Sequence, residues 1–249
     1  MTSACLPCRP SRSPSTQNPL PCLEDRGCSL QPYTVHRQTI GESPVRHKGF
    51  IVKACLAILL ALPLPGRADT GRCLVDAARK QIGVTVHYDS GYRRLPYPNG
   101  DVPQERGVCT DVLVRAYRHL GVDLQVRVHE DMSAAWQAYP KIWGLSRPDS
   151  NIDHRRVPNL ARFFSRHGKS ISVSSNPQDY IAGDLVTWRL PSGVPHIGIV
   201  SDRRTASGVP LVVHNIGQGT QEEDALFLFT LTGHYRYTPE DLRPCRSSR

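Results

Sequence analysis

Beyond residue 68 the sequence has no internal repeat, no low-complexity segment and no basic cluster interleaved with aromatic residues. The formal charge of the 249 residues is +9. Residues 1–68 hold eight Lys and Arg against three Asp and Glu, so the remainder carries 23 basic and 19 acidic residues, a charge of only +4. Nucleic-acid binding requires a concentrated basic surface, and we therefore expect no nucleic-acid partner. Mild attraction to an anionic cell envelope is compatible with this charge.

The sequence also lacks an apolar run long enough for a stable membrane span. The run Ala54–Leu64 is short, follows basic residues, and ends in 65–68, where small residues occupy the two positions that a signal peptidase reads. This pattern is typical of a secretory signal peptide. We therefore predict a signal peptide over 45–68, export to the periplasm or the extracellular space, and no stable membrane span after cleavage.

Residues 1–44 show no apolar periodicity and are rich in Pro, Ser, Cys and Gln. Because a signal peptide normally begins at the N-terminus, the biological start is predicted near Val45, and 1–44 would then be an artefact of a misassigned start codon. The alternative is a genuine disordered extension, and N-terminal sequencing of the exported protein would decide. In both cases 69–249 holds about 180 residues, enough for the single catalytic domain that we predict there.

Cysteine is scarce after the signal peptide, where only Cys73, Cys109 and Cys245 remain. An odd number in an oxidising compartment indicates one disulfide and one reactive thiol. Cys73 and Cys245 lie near the two ends of the domain, and domain termini are often neighbours in space. They are the candidate disulfide, which leaves Cys109 free. The alternative is three reduced, unrelated cysteines. No lipobox precedes Cys73, so a lipoprotein is not expected.

Cys109 follows a segment rich in Pro and Gly, from Tyr92 to Gly107, that is predicted to be a loop. Apolar residues after Cys109 follow one face of a helix that Gly121 ends: Val112, Leu113, Ala116, Tyr117 and Leu120. Cys109 thus opens a helix, where unpaired N–H groups and the helix dipole favour a thiolate and can hold an oxyanion. We interpret Cys109 as a nucleophile; a buried, inert cysteine is the alternative.

The order of the predicted elements, helices first and an antiparallel sheet second, indicates the α+β class. Helices are predicted over Cys73–Ile82, Cys109–Leu120, His129–Tyr139 and Asn159–His167. Extended segments are predicted over Val84–Asp89, Leu124–Val128, Leu185–Trp188, His196–Val200 and Val209–His214, with a loop over Asp202–Gly208.

The last two predicted strands form a hairpin. A loop of this length places Val200 opposite Pro210 and His196 opposite His214. Directly facing Cβ atoms lie about 4.5–5.5 Å apart, so one imidazole can orient the other. A cysteine nucleophile needs such a pair: His196 as the base and later the acid, and His214 to fix its tautomer. For each histidine separately, an ordinary core or surface role is the alternative.

Four features follow one another along the chain: Cys109 at a helix start, the segment Gly183–Trp188, the segment His196–Val200 and a strand that ends at His214. In this order and spacing the sequence resembles the NlpC-type papain-like superfamily of bacterial cell-wall cysteine peptidases and amidases. More narrowly, the chain from about Ala77 to Tyr237 is similar to a secreted bacterial branch known mainly as a domain of unknown function. The motifs that carry this similarity are GVCTDV, VHEDM, NIDHRRVPNL, GDLVTW, HIGIV, HNIG and GHYRY.

The resemblance implies a papain-like fold, with the nucleophile helix packed on an antiparallel sheet, and it implies the catalytic triad Cys109, His196 and His214. By the same likeness Tyr88 is expected near the oxyanion or acyl site. The superfamily usually has Asp-Cys-Ser-Gly at the nucleophile, whereas here Val108 precedes the cysteine. This departure affects the residues expected to contact the substrate. The substrate of this branch does not follow from the superfamily.

Arg155 and Arg156, together with Arg93 and Arg94 in the loop, could clamp a substrate carboxylate; a solvated or ion-paired face is the alternative. The clusters at 129–131 and 153–154 lack the spacing of a closed metal site. We therefore expect no metal and no cofactor.

Two carboxylates are given structural roles. Asp184 precedes the strand with Trp188 and is interpreted as a turn-capping residue. Asp111 lies in the first turn of the nucleophile helix, where it complements the dipole and needs no role in chemistry.

The sequence thus predicts an exported cysteine hydrolase that cleaves an amide bond of the bacterial cell envelope, in a peptidoglycan stem peptide. An acyltransferase that uses the same acyl-enzyme is one alternative, and product analysis with and without an added nucleophile separates the two. A non-catalytic envelope-binding module that keeps the fold is another, although the complete triad argues against it. The sequence leaves the bond and the oligomeric state open.

Overall fold

The structure, a computed structural model, describes residues 67–243. The helices are α1 (Arg67–Arg79), α2 (Cys109–His119), α3 (Leu124–Ala134) and α4 (Val157–His167). The strands are β1 (His87–Tyr88), β2 (Arg106–Gly107), β3 (Lys169–Ile171), β4 (Leu185–Arg189), β5 (Pro195–Arg204), β6 (Pro210–Asn215), β7 (Thr220–Glu223) and β8 (Thr230–Arg236). The signal peptide predicted over 45–68, the segment 1–44 and Cys245 lie largely or wholly outside these residues.

Six of the strands form one antiparallel sheet in the order β3-β8-β4-β5-β6-β7. The two-residue strands β1 and β2 form a separate parallel pair. Helices dominate the first half and the antiparallel sheet the second, so the predicted α+β class is confirmed. None of the helices in the described part of the chain has both the length and the apolar character needed to cross a membrane.

Both faces of the central strands are buried. Successive side chains of a strand point to opposite faces, and Leu185, Ile197 and Val213 pack in the cluster formed with the four helices. On the other face Val186, Trp188, Val200 and Val212 form a second cluster that Tyr180 and Leu226 cover. Strands buried on both sides read as nearly continuous apolar runs, which is why 185–188 and 196–200 could be recognised from the sequence.

Helix α2 is present with the predicted start at Cys109. The carboxylate of Asp111, at the third helical position, accepts a hydrogen bond from the backbone N–H of Val108 at 2.7 Å, which satisfies one unpaired donor of the helix start. Gly121 follows the helix with φ of 87°, in the left-handed region that favours glycine. The helix contacts α1 and strands β5 and β6. Its first residue, Cys109, lies near Ile197 and shares a cavity with Pro195, both at the start of β5.

The strand predicted over Leu124–Val128 is wrong, because these residues begin α3. The carboxylate of Asp123 accepts from the backbone N–H of Gln125 at 2.9 Å and caps the helix. Leu124, Val128 and Met132 are buried at intervals of four, which is a helical spacing. The alternation of apolar and polar residues over 124–128 satisfied both periods. His129 consequently lies within α3 and does not open a helix.

Other boundaries also differ. Helix α1 ends at Arg79, and the residues up to Gly83 form a turn. Strand β5 continues to Arg204, through part of the segment predicted as a loop. The sequence analysis missed β7 and β8 because β7 is polar and β8 has only two buried residues, Gly233 and His234. These two strands form through pairing with neighbouring strands, and such pairing produces no pattern of apolar residues in the local sequence.

Candidate active site

Cys109 lies at the first position of α2 and is 4% exposed. The backbone N–H groups of Ile197, Thr110 and Cys109 itself lie close enough to its sulfur to favour the ionised form. The residue lines an open cavity of about 450 Å³ between the loop before α2, the start of α4 and the start of β5. The sulfur is therefore placed where a bound acyl group can reach it.

The ionisation of Cys109 differs from the expectation. Burial, as the largest effect, and the nearby Asp111 raise the pKa of the thiol to about 12, although the three backbone N–H groups act in the opposite direction. The helix start was predicted to favour a thiolate; here loss of solvation outweighs the helix. At neutral pH Cys109 is a thiol, and attack on a carbonyl requires a base that removes its proton.

The two predicted histidines meet. Nε2 of His196 lies 2.8 Å from Nδ1 of His214, and both residues are buried. The predicted register is nevertheless wrong by two residues, since Val200 pairs with Val212 rather than with Pro210. His196 and His214 are therefore diagonal neighbours. A slip of two residues keeps every side chain on its face, and for this reason the contact survives the error.

Gly198 makes room for this contact. A Cβ atom on Gly198 would lie 2.6 Å from Cγ1 of Val212 and 3.1 Å from both Cβ of His214 and Cη2 of Trp188. The Trp188 ring stacks on the imidazole of His196, with ring centroids 5.5 Å apart and an interplanar angle of 29°. The histidine pair thus packs beside Trp188 and Val212 of the second cluster, at the end of β5 that approaches Cys109.

Burial lowers the pKa of His196 to about 3, and the neighbouring His214 contributes in the same direction. Burial also lowers the pKa of His214, while Glu223 acts against that shift. Both imidazoles are neutral at neutral pH. A neutral imidazole can accept a proton, so His196 has the protonation state of a general base.

Cys109 and His196 are connected through the backbone. One backbone N–H group near the Cys109 sulfur belongs to Ile197, the residue after His196. Within the described chain the sulfur and the imidazole form no direct hydrogen bond. Since Nε2 of His196 is used by His214, Nδ1 is the nitrogen left for the thiol. Such contacts are often loose in free enzymes and tighten when substrate binds.

Arg155, a predicted substrate clamp, is instead occupied by Asp111. Its Nε and Nη2 atoms donate to Oδ1 and Oδ2 of Asp111 at 2.9 and 3.0 Å, and other N–H groups donate to the carbonyl oxygens of Asp89 and Gly91. Asp111 therefore does more than cap a helix. The pair fastens the start of α2 to the loop that lines the cavity.

Tyr88 and Arg156 line the same cavity as Cys109. Burial, followed by the influence of Cys109, raises the pKa of Tyr88 to about 12, so its hydroxyl is a hydrogen-bond donor at neutral pH. The guanidinium of Arg156 lies over the Trp143 ring at 4.2 Å from the centroid and contacts Asp153 at 3.4 Å. The sequence analysis missed Trp143, which lies in a loop without a pattern.

Two further contacts of the site were also missed. The Asn215 amide donates to the carbonyl of Gly107 at 3.2 Å and ties β6 to the segment before Cys109. The second contact joins Oε1 of Glu223 to Nε2 of His214 at 2.9 Å. The adjacent motif HNIG contained Asn215, but Glu223 had no signal because β7 itself was not predicted.

The remaining candidates lie elsewhere. Asp131 binds Arg166 at 2.7 Å and His167 at 2.9 Å. Asp184 accepts from the backbone N–H of Ile181 at 3.1 Å, a turn-capping contact as interpreted, and it also binds His234 and Arg236.

Cys73 is disulfide-bonded, and because Cys245 lies outside the described residues, their pairing stays a prediction. Arg93, in the loop, binds Asp89 at 2.7 Å.

Taken together, fold and site define an α+β protein with a buried cysteine at a helix start and a hydrogen-bonded histidine pair on the strands that follow. A protein-family model described as a domain of unknown function, DUF1287, matches residues 75–237, and the chain belongs to that family. It is 59% identical over 171 residues to the uncharacterised protein YijF of Escherichia coli strain K12, an alignment that covers 69% of this chain and 83% of YijF.

Among solved structures, those of NlpC1 and NlpC2 from Trichomonas vaginalis are similar at 16% and 14% identity, with TM-scores of 0.38 and 0.36. Each similarity covers 70% of this chain, which spans only 46% and 48% of the two structures. At this level of superposition the similarity supports no conclusion about fold or activity. The place of the chain in the NlpC-type superfamily stays a prediction from its motifs.

Proposed function

We propose that this protein is an exported cysteine hydrolase that cleaves an amide bond of the bacterial cell envelope, in a peptidoglycan stem peptide. One observation carries the proposal. The sulfur of Cys109, at a helix start in an open cavity, lies near the backbone N–H of the residue after His196, whose ring is hydrogen-bonded to His214. The predicted signal peptide supports the location in the envelope.

The protonation states favour general-base attack over a preformed thiolate. Nδ1 of His196 takes the thiol proton as sulfur adds to the carbonyl carbon, and the backbone N–H groups of Cys109 and Thr110 stabilise the resulting oxyanion. His196 then gives its proton to the leaving amine, and the C–N bond breaks. Water, deprotonated by the same imidazole, hydrolyses the thioester and releases the acid, which restores the thiol.

The cavity suits a substrate that carries a carboxylate beside the scissile amide. Of the two arginines that line it, Arg155 is engaged by Asp111. Arg156 makes a single 3.4 Å hydrogen-bond contact within the described residues, to Asp153, so most of its N–H groups are available. An arginine binds a carboxylate with two parallel hydrogen bonds, and peptidoglycan stem peptides present such groups.

Digestion of purified peptidoglycan tests the proposal. The full chain and its Cys109→Ala variant are compared, with Asp224→Asn as a surface control, and released fragments are identified by mass spectrometry. We expect fragments from the wild type and from Asp224→Asn but none from Cys109→Ala. Equal release by Cys109→Ala would exclude the mechanism. Transfer of the acyl group to an added amine, in place of hydrolysis, would assign the protein to the acyltransferases.

A non-catalytic envelope-binding module is the second candidate. The observation in its favour is the buried Cys109 thiol with a pKa raised to about 12, which is typical of an inert cysteine. For a binding module, the wild type would sediment with peptidoglycan, release no fragments, and react with iodoacetamide only after denaturation. Labelling of the native protein that is lost in His196→Gln would favour the enzyme.

A further inference from the structure

Glu223, in β7, extends the histidine pair to the protein surface. Its Oε1 atom lies 2.9 Å from Nε2 of His214, and Nδ1 of His214 lies 2.8 Å from Nε2 of His196. The side chain of Glu223 is 49% exposed, whereas that of His214 is 1% exposed. The three residues form a continuous chain of polar contacts from solvent to the buried base.

The chemistry of these groups fixes where each proton resides. Nε2 of His214 lies 2.9 Å from Oε1 of Glu223, although its N–H is not aligned on that oxygen as a regular hydrogen bond. A carboxylate offers only lone pairs, so the nitrogen beside it is the one that carries the proton of the His214 imidazole. A neutral imidazole carries one N–H, so Nδ1 of His214 is a lone pair and accepts from Nε2 of His196. Nδ1 of His196 is then also a lone pair, which is the state that a base for the Cys109 thiol requires.

We propose that Glu223 is a positioning residue whose carboxylate sets the tautomers of both histidines and thereby keeps Nδ1 of His196 free of a proton. The catalytic consequence depends on the proposed hydrolase function. Without the carboxylate, His214 can donate from Nδ1 to His196. His196 would then carry its proton on Nδ1 and would lack a lone pair directed at the thiol.

The surroundings of His214 contain few other charges. The titratable groups that face it are His196 from β5 and Glu223 from β7, and β4 contributes the uncharged ring of Trp188. The neighbouring Glu222 is directed to the other face, where it binds Arg79. Among the described residues, Glu223 is therefore the carboxylate that acts on the pair.

Histidine tautomers can be measured without a substrate. Long-range ¹H–¹⁵N correlation spectra of the ¹⁵N-histidine-labelled full chain distinguish Nδ1–H from Nε2–H imidazoles, and His196→Gln and His214→Gln assign the signals. At pH 7.5 we expect the Nε2–H form at both positions in the wild type and in Asp224→Asn, and a mixed population in Glu223→Ala. An Nδ1–H form of His214 in the wild type, or wild-type tautomers in Glu223→Ala, would overturn the proposal.

Peptidoglycan release measures the consequence for catalysis. An incorrectly set tautomer impairs a catalytic histidine severely, and we expect Glu223→Ala to lower kcat/KM by about tenfold or more through kcat. Glu223→Gln should retain more activity because its amide oxygen can occupy the position of Oε1 beside Nε2 of His214 and offers the same lone pairs. Unchanged kcat in Glu223→Ala, with an active wild type, contradicts the positioning role alone. An inactive wild type with the expected tautomers contradicts the hydrolase function and leaves the tautomer assignment standing.

Discussion

Asp111 and Arg155 form a bidentate ion pair at the start of helix α2, with N–O distances of 2.9 and 3.0 Å. Their side chains are only 4% and 2% exposed. The same arginine holds the carbonyl oxygens of Asp89 and Gly91, so one pair links helix α2 to the loop beside Tyr88. The position of Cys109 depends on this connection.

We expect Asp111→Asn to destabilise the protein by about 3–5 kcal/mol, because removal of one partner leaves the other charge buried without compensation. The double variant Asp111→Asn with Arg155→Met should be less destabilised than the sum of the two single variants. Urea denaturation followed by circular dichroism measures both. Additive losses in free energy would show that the pair does not act as a unit.

Gly198→Ala tests the space in which the histidine pair packs. The new methyl would lie 2.6 Å from Cγ1 of Val212, and overpacking of this kind costs about 1–3 kcal/mol. We expect lower stability and a shift of the imidazole signals of His196 and His214. Val212→Ala removes the atom that clashes, so the double variant should lose less stability than the two single losses combined. Full stability of Gly198→Ala would show that glycine is not required there.

The stability of the fold should fall with pH below about 6.5, earlier than carboxylates alone would cause. Burial, followed by the charges of Arg155 and Arg118, lowers the pKa of His154 to about 4. Between that value and the unfolded pKa near 6.5 the unfolded chain binds more protons, so protonation favours unfolding as pH decreases. His154 alone should account for about 2 kcal/mol of the loss between pH 7 and 5.

The measurement compares the free energy of unfolding at pH 7 and pH 5 for the wild type, His154→Gln and His87→Gln. His154→Gln should show a smaller difference between the two pH values, whatever its absolute stability. His87 is exposed. Its variant therefore serves as the control, because it makes the same His-to-Gln replacement at a position outside the core. An identical pH dependence in all three proteins would contradict the assignment to His154.

Local patterns led to Cys109 at a helix start and to part of the sheet. The helix after Cys109 could be predicted because the spacing of its apolar residues depends on that helix alone. The two strands that contain His196 and His214 could be predicted because they are nearly continuous apolar runs. The hairpin register was wrong because β5 continues to Arg204 and has an irregularity after Val200, a feature that turn length does not indicate.

Contacts between distant segments could not be predicted. Asp111 and Arg155 are 44 positions apart, and nothing in the residues around Asp111 indicates a buried partner. Glu223 belongs to a polar edge strand whose existence depends on pairing with β6. The raised pKa of the Cys109 thiol likewise depends on burial by the whole fold, and the sequence shows only the helix start that acts against it.

The reactivity of Cys109 toward a small alkylating reagent distinguishes the two possible resting states of the site. A thiol with a pKa raised to about 12 beside an imidazole with a pKa lowered to about 3 is a neutral pair, and only the thiolate reacts with iodoacetamide. We expect the rate constant of the native protein to increase steadily from pH 6 to pH 10 without a plateau. His196→Gln should lower the rate at neutral pH by removing the base. A plateau that begins below pH 7 would instead identify a preformed thiolate–imidazolium pair. The ion pair would then exist in the free enzyme, and catalysis would not require substrate binding to form it.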